Sequence, residues 1–340
     1  MRRYKRTMAA VALATTVISG TAGWASGSAQ EPVTGPPPGS AAWQREGLPD
    51  PAATTPAQVA RFFSTLGPDR QQDLVRRHPT VVGNLDGAPV KLRYAANSRT
   101  AKAGGFEDLA RPGRQILALD PRGRGQVAEV YGDLSRAEHV AVVVPGSDID
   151  ARTFDRTNDA YGTPAGMAKS LRDATKGHRT AVIAWAGYTT PVGVGVDAAT
   201  GDLAEAGADR LARLTRGLDA TGAPDPALFC HSYGSVVCGL AAPRLDAADV
   251  VALGSPGMRA DTVADLHTNA RVWAAKDPSD WIDRIPNVRF AGLGHGTDPT
   301  DPAFGARRVP ASDADGHTGY FAPGTESLRT FASITVGASR

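Results

Sequence analysis

The sequence Ala-Leu-Phe-Cys-His-Ser-Tyr-Gly-Ser-Val-Val-Cys-Gly-Leu-Ala-Ala occupies residues 227–242. Its first four residues form a short apolar run that is typical of a buried strand, and residues 236–242 have an apolar pattern that suits a helix. Ser232 and Gly234 lie between these two parts. The stretch therefore predicts a strand, a sharp turn that carries a serine, and a helix, which is the order that raises a hydroxyl above the edge of a parallel sheet.

Ser232 and its neighbours fit the nucleophile-elbow pattern G-x-S-x-G at every position except the first. Cys230 stands where the pattern has its first glycine, and it is a small residue. Gly234 provides a position without a side chain, where the strand and the helix must approach closely. The alternative is an ordinary strand–loop–helix corner whose serine caps the helix. We favour the catalytic interpretation because suitable partners follow Ser232 in the expected order.

Short apolar runs alternate with helical stretches on both sides of this elbow. Such alternation implies a mostly parallel sheet that is covered by helices on both faces. A turn-rich segment at 120–125 separates the first two runs and predicts a β-hairpin. The predicted strands are 116–119, 127–131, 139–144, 180–185, 227–230, 250–253, 272–275 and 288–293, and we expect the last of these to end the sheet.

A serine hydroxyl is a weak nucleophile and needs a base, which a carboxylate must orient. In a fold of this kind the acid follows the serine, and the histidine comes last. Asp277 directly follows the predicted strand 272–275, at the carboxyl end where functional groups of a parallel sheet lie, so we predict that it is the acid. Asp280 is the main alternative, followed by Asp283 and Asp261, and each of them could instead cap a helix.

Two late histidines are candidates for the base. His317 lies in the loop-like segment Asp-Gly-His-Thr-Gly-Tyr-Phe, and His295 lies in Gly-His-Gly-Thr-Asp. We predict that His317 is the base because its segment follows the last predicted strand. His295 is then expected to support the structure, and His231, within the elbow, to have at most a positioning role.

An oxyanion hole needs two backbone N–H groups. The residue after the nucleophile, Tyr233, provides the first. The loop Pro-Gly-Ser-Asp at 145–148 follows the predicted strand 139–144, and we assign the second amide to Ser147, with Asp148 as the alternative. The loop could also be a simple Pro-Gly turn.

Cys230 and Cys238 are the only cysteines of the chain, and they lie on either side of Ser232. An exported protein meets an oxidising environment, which favours a disulfide bond. Helix rise places Cys238 about 6 Å beyond Gly234, close to the upper Cα separation that a disulfide accepts. The alternatives of a bond that holds the elbow and of two small buried packing residues both remain open.

The first residues resemble an export signal. Four basic residues precede an uncharged stretch of about 13 residues, which is too short for a membrane span of about 20 residues. We predict a cleaved signal and a secreted protein without a stable membrane span, exported by either the general or the twin-arginine route. The predicted parts are a signal at 1–29, a Pro-rich linker without a core at 30–53, a helical preface at 54–113 and a catalytic domain at 114–340.

The composition excludes several classes of protein. The chain has 37 Lys and Arg residues against 35 Asp and Glu residues, so its charge gives no basis for nucleic-acid binding. Two cysteines cannot form a four-thiolate zinc site, and no phosphate-binding glycine motif occurs. We therefore expect no metal and no cofactor, and a monomer that acts on a small-molecule or lipid-like ester.

Several motifs together resemble a secreted actinomycete α/β-hydrolase family that has long been catalogued as a domain of unknown function. They are Thr-Val-Val-Gly-Asn-Leu-Asp-Gly-Ala-Pro at 80–89 and the motifs at 139–146, 231–235, 294–299 and 316–321. The resemblance covers roughly residues 55–332. It implies an α/β-hydrolase fold and a triad, carried here onto Ser232, Asp277 and His317, and it implies no known substrate. Cys230 is the clearest departure from the family pattern.

The function that we predict is the hydrolysis of a carboxylic ester through an acyl-enzyme. Ser232 attacks the acyl carbon, His317 accepts the proton, and Asp277 orients the imidazole. An amide or peptide hydrolase on the same triad is one alternative, because a single constellation can serve both bonds. The other is a non-catalytic secreted binding protein on a hydrolase scaffold.

Overall fold

The computed structural model describes residues 30–339, so the predicted signal at 1–29 lies outside the described residues. Eight strands form one sheet: β1 Ile116–Asp120, β2 Gln126–Tyr131, β3 His139–Val144, β4 Thr180–Ala186, β5 Ala227–His231, β6 Asp249–Leu253, β7 Arg271–Ala275 and β8 Arg307–Arg308. Their order across the sheet is β1-β2-β4-β3-β5-β6-β7-β8. Strand β2 runs antiparallel to β1 and β4, and all other neighbours are parallel.

Helices cover both faces of this sheet. The α-helices are α1 Ser40–Arg45, α2 Pro56–Ser64, α3 Pro68–Arg77, α4 Pro79–Asn84, α5 Val90–Ala103, α6 Pro164–Ala174, α7 Val196–Ala199, α8 Asp202–Ala220, α9 Gly234–Ala241 and α10 Glu326–Thr335. Short 3₁₀ helices occupy Glu107–Ala110, Ala242–Arg244, Ala264–Leu266, Trp281–Arg284 and Gly319–Phe321. Among residues 30–339, no helix is both long and apolar enough to cross a membrane.

Strand side chains alternate between two cores, as a sheet covered on both faces requires. In β5, Phe229 packs in the core that contains α6 and α10. Its neighbours Leu228 and Cys230 pack in the core that contains α8 and α9. The predicted fold class, a mostly parallel sheet with helices on both faces, is confirmed.

The last strand is not where we predicted it. The run 288–293 forms a tight loop in which Phe290 and Leu293 exchange backbone hydrogen bonds of 2.9 and 3.0 Å. Its apolar side chains are exposed, with 71% of Phe290 accessible to solvent. The eighth strand is instead the two-residue β8, which pairs with β7 although both of its residues are charged and exposed. An apolar run this short does not reveal whether its side chains are buried.

The helical preface has a core of its own, built around Trp43, Phe63 and Leu74. Helix α2 begins as its sequence predicts, because Thr55 and Gln58 form a reciprocal capping box. The preface also lies along the outer edge of β1. The side-chain amide of Asn84 both donates to and accepts from the backbone of Leu119, at 2.8 and 3.2 Å. These contacts satisfy polar groups that an edge strand would otherwise expose, so the preface braces the sheet.

Residues 30–53 are not the coreless linker that we predicted. The Trp43 side chain is fully buried, and its indole N–H donates to the Pro49 carbonyl at 2.7 Å. Nearer the start of the segment, the Val33 N–H donates to Thr189 Oγ1 at 3.1 Å, and Arg122 donates to the Thr34 carbonyl at 2.9 Å. A Pro-rich composition indicates that the segment lacks a core of its own, but it does not prevent the segment from packing on a neighbour.

Candidate active site

Ser232 occupies the sharp turn between β5 and α9. Its φ is 54°, in the left-handed region that L-residues rarely adopt. The turn is held from both sides, because the Ser232 N–H donates to the Leu253 carbonyl and the Ser232 carbonyl accepts from the Ser235 N–H, each at 3.0 Å. This strained, well-supported turn leaves the Ser232 side chain half-buried and is the geometry of a nucleophile elbow.

Two glycines allow the elbow to meet the loop after β3. A Cβ atom at Gly234 would lie 2.5 Å from the Val144 carbonyl oxygen, which real Cβ atoms do not tolerate. A Cβ atom at Gly146 would lie 2.9 Å from Ser232 Oγ and 3.2 Å from the Tyr233 nitrogen. The loop 145–148 is therefore in direct contact with the serine hydroxyl and with the amide that follows it.

His317 is paired with Asp280, not with the predicted Asp277. The His317 Nδ1 atom lies 2.8 Å from Asp280 Oδ1 and 3.0 Å from Oδ2. Asp280 also accepts hydrogen bonds from the Tyr320 hydroxyl at 2.6 Å and from the Ile282 N–H at 2.9 Å. The Asp280 side chain is completely buried. The assignment of the acid to Asp277 is therefore corrected to Asp280, the main alternative considered from the sequence.

Asp277, three residues before Asp280 in the chain, makes a different set of contacts. Its carboxylate accepts from the Ser279 N–H at 2.7 Å and from the Ser279 hydroxyl, within the loop that follows β7. It also accepts from the Gly316 N–H at 3.3 Å, next to His317. Asp277 thus stabilises the loop and positions the residue before the histidine. The remaining alternatives lie elsewhere, since Asp283 pairs with Lys276 and Asp261 accepts from Thr297.

The surroundings of Asp280 keep it ionised. Burial raises the pKa of its carboxyl, but hydrogen bonds from His317, Tyr320 and the Ile282 N–H outweigh this effect, and the net pKa lies below its ordinary value. Burial, together with the neighbouring Asp280, raises the pKa of the Tyr320 phenol, so that it remains a proton donor. Tyr320 was not assigned a role from the sequence, although it lies only three residues after His317 in the same motif.

The two predicted oxyanion amides belong to loops that are in contact, because a Cβ atom at Gly146 would lie 3.2 Å from the Tyr233 nitrogen. Within residues 30–339, neither the Tyr233 N–H nor the Ser147 N–H has a hydrogen-bond partner. The alternative donor is occupied, because the Asp148 N–H donates to the Pro191 carbonyl at 2.8 Å. The geometry therefore favours Ser147 over Asp148 as the second amide.

Ser232 and His317 lie on adjacent loops but are not hydrogen-bonded to each other. In the described part of the chain, neither Ser232 Oγ nor His317 Nε2 has a hydrogen-bond partner. His231 is next to Ser232 in the chain, and its ring centroid is 4.6 Å from that of His317. The two loops therefore lie side by side. Catalytic hydrogen bonds are often long in ligand-free structures and shorten when the substrate binds.

His231 positions the loop that carries His317. Its Nε2 atom is 2.7 Å from the His317 carbonyl oxygen, to which a neutral imidazole with a proton on Nε2 donates. Burial, reinforced by the nearby His317, lowers the pKa of His231 to about 3, so the ring is neutral at ordinary pH. From the sequence we expected His231 to have at most a positioning role, and these contacts agree with that expectation.

His295 is a structural residue. Its Nε2 atom lies 2.7 Å from the Ala198 carbonyl, and its ring meets that of Tyr233 edge-on at 5.6 Å. Burial lowers the pKa of His295 to about 4. Among residues 30–339, no group of three or more His, Cys, Asp or Glu side chains is arranged to hold a metal ion.

The structure contains the disulfide bond between Cys230 and Cys238, with a Cα separation of 6.4 Å. Both cysteines are completely buried. The bond joins the end of β5 to the middle of α9, and thus the two elements between which Ser232 lies. Of the two alternatives left open by the sequence, the structure has the bonded one.

The sheet order and the position of the elbow define the class of protein. Ser147 follows β3, Ser232 follows β5, Asp280 follows β7 and His317 follows β8, so all four lie at the carboxyl ends of parallel strands. This is the architecture of an α/β hydrolase. A family model described as "Alpha/beta hydrolase" matches residues 120–290, half of the chain, and the chain belongs to this family.

Two uncharacterized proteins of Mycobacterium tuberculosis, MT2140 and Rv2079, are each 28% identical to the chain over 394 residues. The alignment covers 91% of this chain and 57% of each relative, so the chain spans a little over half of their length. Among solved structures, XC6422 of Xanthomonas campestris, described as an α/β serine hydrolase without a lid, is 16% identical, with a TM-score of 0.38, and the match covers 67% of this chain and 96% of XC6422. A CIB-like hydrolase of Thermoplasma acidophilum is 14% identical, with a TM-score of 0.38 and coverage of 66% and 96%.

Proposed function

We propose that the protein is a serine hydrolase that cleaves a carboxylic ester through an acyl-enzyme intermediate. The observation that carries this proposal is the buried His317–Asp280 pair on the loops beside Ser232, a serine held at positive φ. Strain at a serine and a buried carboxylate–imidazole pair are costly features for a merely structural corner. Both are required by a nucleophile and its base.

In the proposed reaction, Ser232 Oγ attacks the acyl carbon while its proton passes to His317 Nε2. Asp280 accepts the hydrogen bond from Nδ1–H, which leaves the lone pair on Nε2 and stabilises the imidazolium as it forms. The negative charge on the carbonyl oxygen is received by the Tyr233 and Ser147 amides. His317 then gives its proton to the departing alcohol, and water, activated by the same histidine, releases the acid and restores Ser232.

Tyr320 supports this arrangement through Asp280. Its hydroxyl donates to Asp280 Oδ2 and also accepts from the Asp277 N–H at 3.1 Å. The carboxylate is thereby held in one orientation by groups that do not touch the substrate, which fixes the tautomer of His317.

The test is the turnover of p-nitrophenyl acetate together with labelling by a fluorophosphonate probe. The wild-type protein should hydrolyse the ester and be labelled, whereas Ser232→Ala should lose both properties. Ser64→Ala, at an exposed serine of helix α2, is the matched control and should behave as wild type. Labelling that persists in Ser232→Ala would refute the nucleophile. Cleavage of peptide substrates but not of esters would select the amide hydrolase, and no turnover with a folded chain would favour a binding protein.

We also propose that the protein is exported, with residues 1–29 as a removable signal. Expression of the full chain in an actinomycete host and mass spectrometry of the culture medium test this proposal. The expected product begins at Gln30. Retention of the complete chain inside the cells would contradict export.

A further inference from the structure

The large hydrophobic side chains that are exposed on this protein are not scattered over its surface. Among residues 30–339 they belong to three segments, which we call the apolar rim: Val192, Val194, Val196, Trp281, Val288, Phe290 and Leu293. Phe290 and Val194 are the most exposed, at 71% and 65%. Exposed hydrophobic residues that occur singly need no explanation, but a group of them at one place marks an interaction site.

The first segment of the rim is attached to the proposed oxyanion loop. The Asp148 N–H donates to the Pro191 carbonyl at 2.8 Å, and the Gly193 N–H donates to Asp148 Oδ1 at 2.8 Å. Asp148 directly follows Ser147. Val192 and Val194 therefore lie on a segment that is hydrogen-bonded to the residue after Ser147.

The end of that segment is attached to the elbow and to the second segment. The Tyr233 hydroxyl donates to the Thr200 carbonyl at 3.0 Å. The Gly294 N–H donates to the Ala199 carbonyl at 2.8 Å, which joins the loop 285–294 to helix α7. Val196 and Leu293 thus lie on loops that are connected to each other and to the residue after the nucleophile.

Trp281 provides the third contact with the site. Its ring centroid lies 4.5 Å from that of His317, and it follows Asp280 in the chain. The tryptophan is 38% exposed, so one part of its ring covers the catalytic imidazole while another part faces solvent. Trp281 therefore joins the rim to the His317 imidazole.

Two of the three segments of the rim offer almost no charge to a ligand, whereas the third has Asp283, which is paired with Lys276, and the exposed Arg284. Asp197 is the only charged residue in 187–200, and it accepts a hydrogen bond from the Gln30 N–H at 2.9 Å. Arg289 is the only charged residue in 285–294, and it donates to the Arg259 carbonyl at 2.9 Å. A surface with this composition suits a ligand portion that is itself uncharged and apolar.

We propose that the apolar rim binds the hydrocarbon chain of the substrate, and that the substrates are esters with a medium or long acyl or alkyl chain. This inference rests on the proposed ester hydrolysis. Asp148, which follows Ser147, is hydrogen-bonded to the segment that carries Val192 and Val194, and Trp281 packs on His317, so apolar side chains of the rim belong to segments that contact the proposed site. Each methylene that is removed from water by such contacts favours binding about threefold to fourfold.

The experiment compares kcat/KM for p-nitrophenyl esters from acetate to decanoate, each measured below its critical micelle concentration, and repeats the measurement above that concentration for the longest esters. We expect kcat/KM to rise with chain length, with the decanoate at least about tenfold above the acetate. In Phe290→Ser this ratio should fall at least about threefold, whereas Phe290→Leu, which keeps an apolar side chain, should retain it. Phe290 is exposed, and thermal melts of both variants verify that they are folded.

The outcomes separate the inference from the function on which it rests. Ser232-dependent hydrolysis with no preference for chain length would overturn the rim inference and leave ester hydrolysis intact. A loss in Phe290→Ser that occurs only above the critical micelle concentration would overturn it too, because the rim would then dock on a lipid surface and not on a single chain. The absence of any Ser232-dependent ester turnover would reject the proposed function itself.

Discussion

The preface and the loops around Ser232 use their apolar residues in opposite ways. In the core of the preface, Phe63, Leu74 and the Trp43 side chain from the preceding segment are completely buried, and asparagine amides cover the edge of the sheet. In the loops at the site, carboxylates and imidazoles are buried and paired, while Phe290 and its neighbours face solvent. Burial of apolar side chains thus stabilises the fold in the first region, whereas in the second region burial tunes the pKa values of polar groups and apolar side chains stay exposed.

The largest expected effect comes from changing the buried carboxylates of the site. Asp280→Asn should lower kcat about 10⁴-fold, because an amide does not hold the required tautomer of His317. Asp277→Asn is the matched variant three residues away, and it should lower kcat by no more than about tenfold, since the amide oxygen can still accept from the loop. Steady-state ester kinetics measure both. If Asp277→Asn proved the more damaging, the pairing of His317 with Asp280 would be the wrong description of the active enzyme.

A variant at Trp43, which completes the core of the preface, should affect stability and not rate. Trp43→Ala removes a completely buried indole and should lower the free energy of unfolding by about 3–5 kcal/mol. Urea denaturation followed by circular dichroism measures the loss, and kcat per folded molecule should remain that of the wild type. Phe290→Ser, at the exposed rim, is the comparison and should change the unfolding free energy by less than about 0.5 kcal/mol. Equal losses in the two variants would remove the distinction between the two regions.

The disulfide bond should stabilise the site by less than Trp43 stabilises the preface. Cys230 and Cys238 are separated by 8 positions, and a closed loop of this length corresponds to about 2–3 kcal/mol in the chain-entropy model. The double variant Cys230→Ala/Cys238→Ala should therefore melt at a lower temperature than the oxidised wild type. Dithiothreitol should lower the melting temperature of the wild type and leave that of the double variant unchanged. Identical melting of the oxidised wild type and the double variant would show that the bond does not stabilise the elbow.

Stability should also depend on pH at the site. His231 and His295 have folded pKa values of about 3 and about 4, against an ordinary value of 6.5. Between pH 6.5 and about 4 the unfolded chain takes up protons that the folded chain does not, so stability falls as the pH falls, by up to about 1.4 kcal/mol per pH unit for each histidine.

Urea midpoints at pH 7 and pH 5 measure this dependence. His295→Gln should reduce the difference between the two midpoints, and His178→Gln, at an exposed histidine, should leave it as in the wild type. An undiminished difference in His295→Gln would mean that this histidine is not kept neutral by burial.

The elbow, the oxyanion loop and the order of the site residues could be predicted from the sequence because each depends on local signals. An apolar run, a turn with glycine and a helical pattern specify a strand–turn–helix unit wherever they occur together. Ser232, Tyr233, Ser147 and His317 were all assigned in this way. The capping box at Thr55 and the class of the fold follow from the same kind of local pattern.

Other features depended on contacts between distant parts of the chain. Asp277 and Asp280 lie on one short loop, and only the packing of Tyr320 and His317 against that loop decides which carboxylate meets the imidazole. Residues 288–293 are as apolar as a strand, yet they remain exposed because the edge of β7 is occupied by β8.

Residues 30–53 have the composition of a linker, but Trp43 is buried in the core of the preface. Local sequence determines which conformations a segment prefers, whereas the partner that covers a segment is chosen by the rest of the fold. For this reason the proposed nucleophile could be predicted from sixteen consecutive residues, while the carboxylate that pairs with His317 and the exposure of the apolar rim were decided only by the tertiary structure.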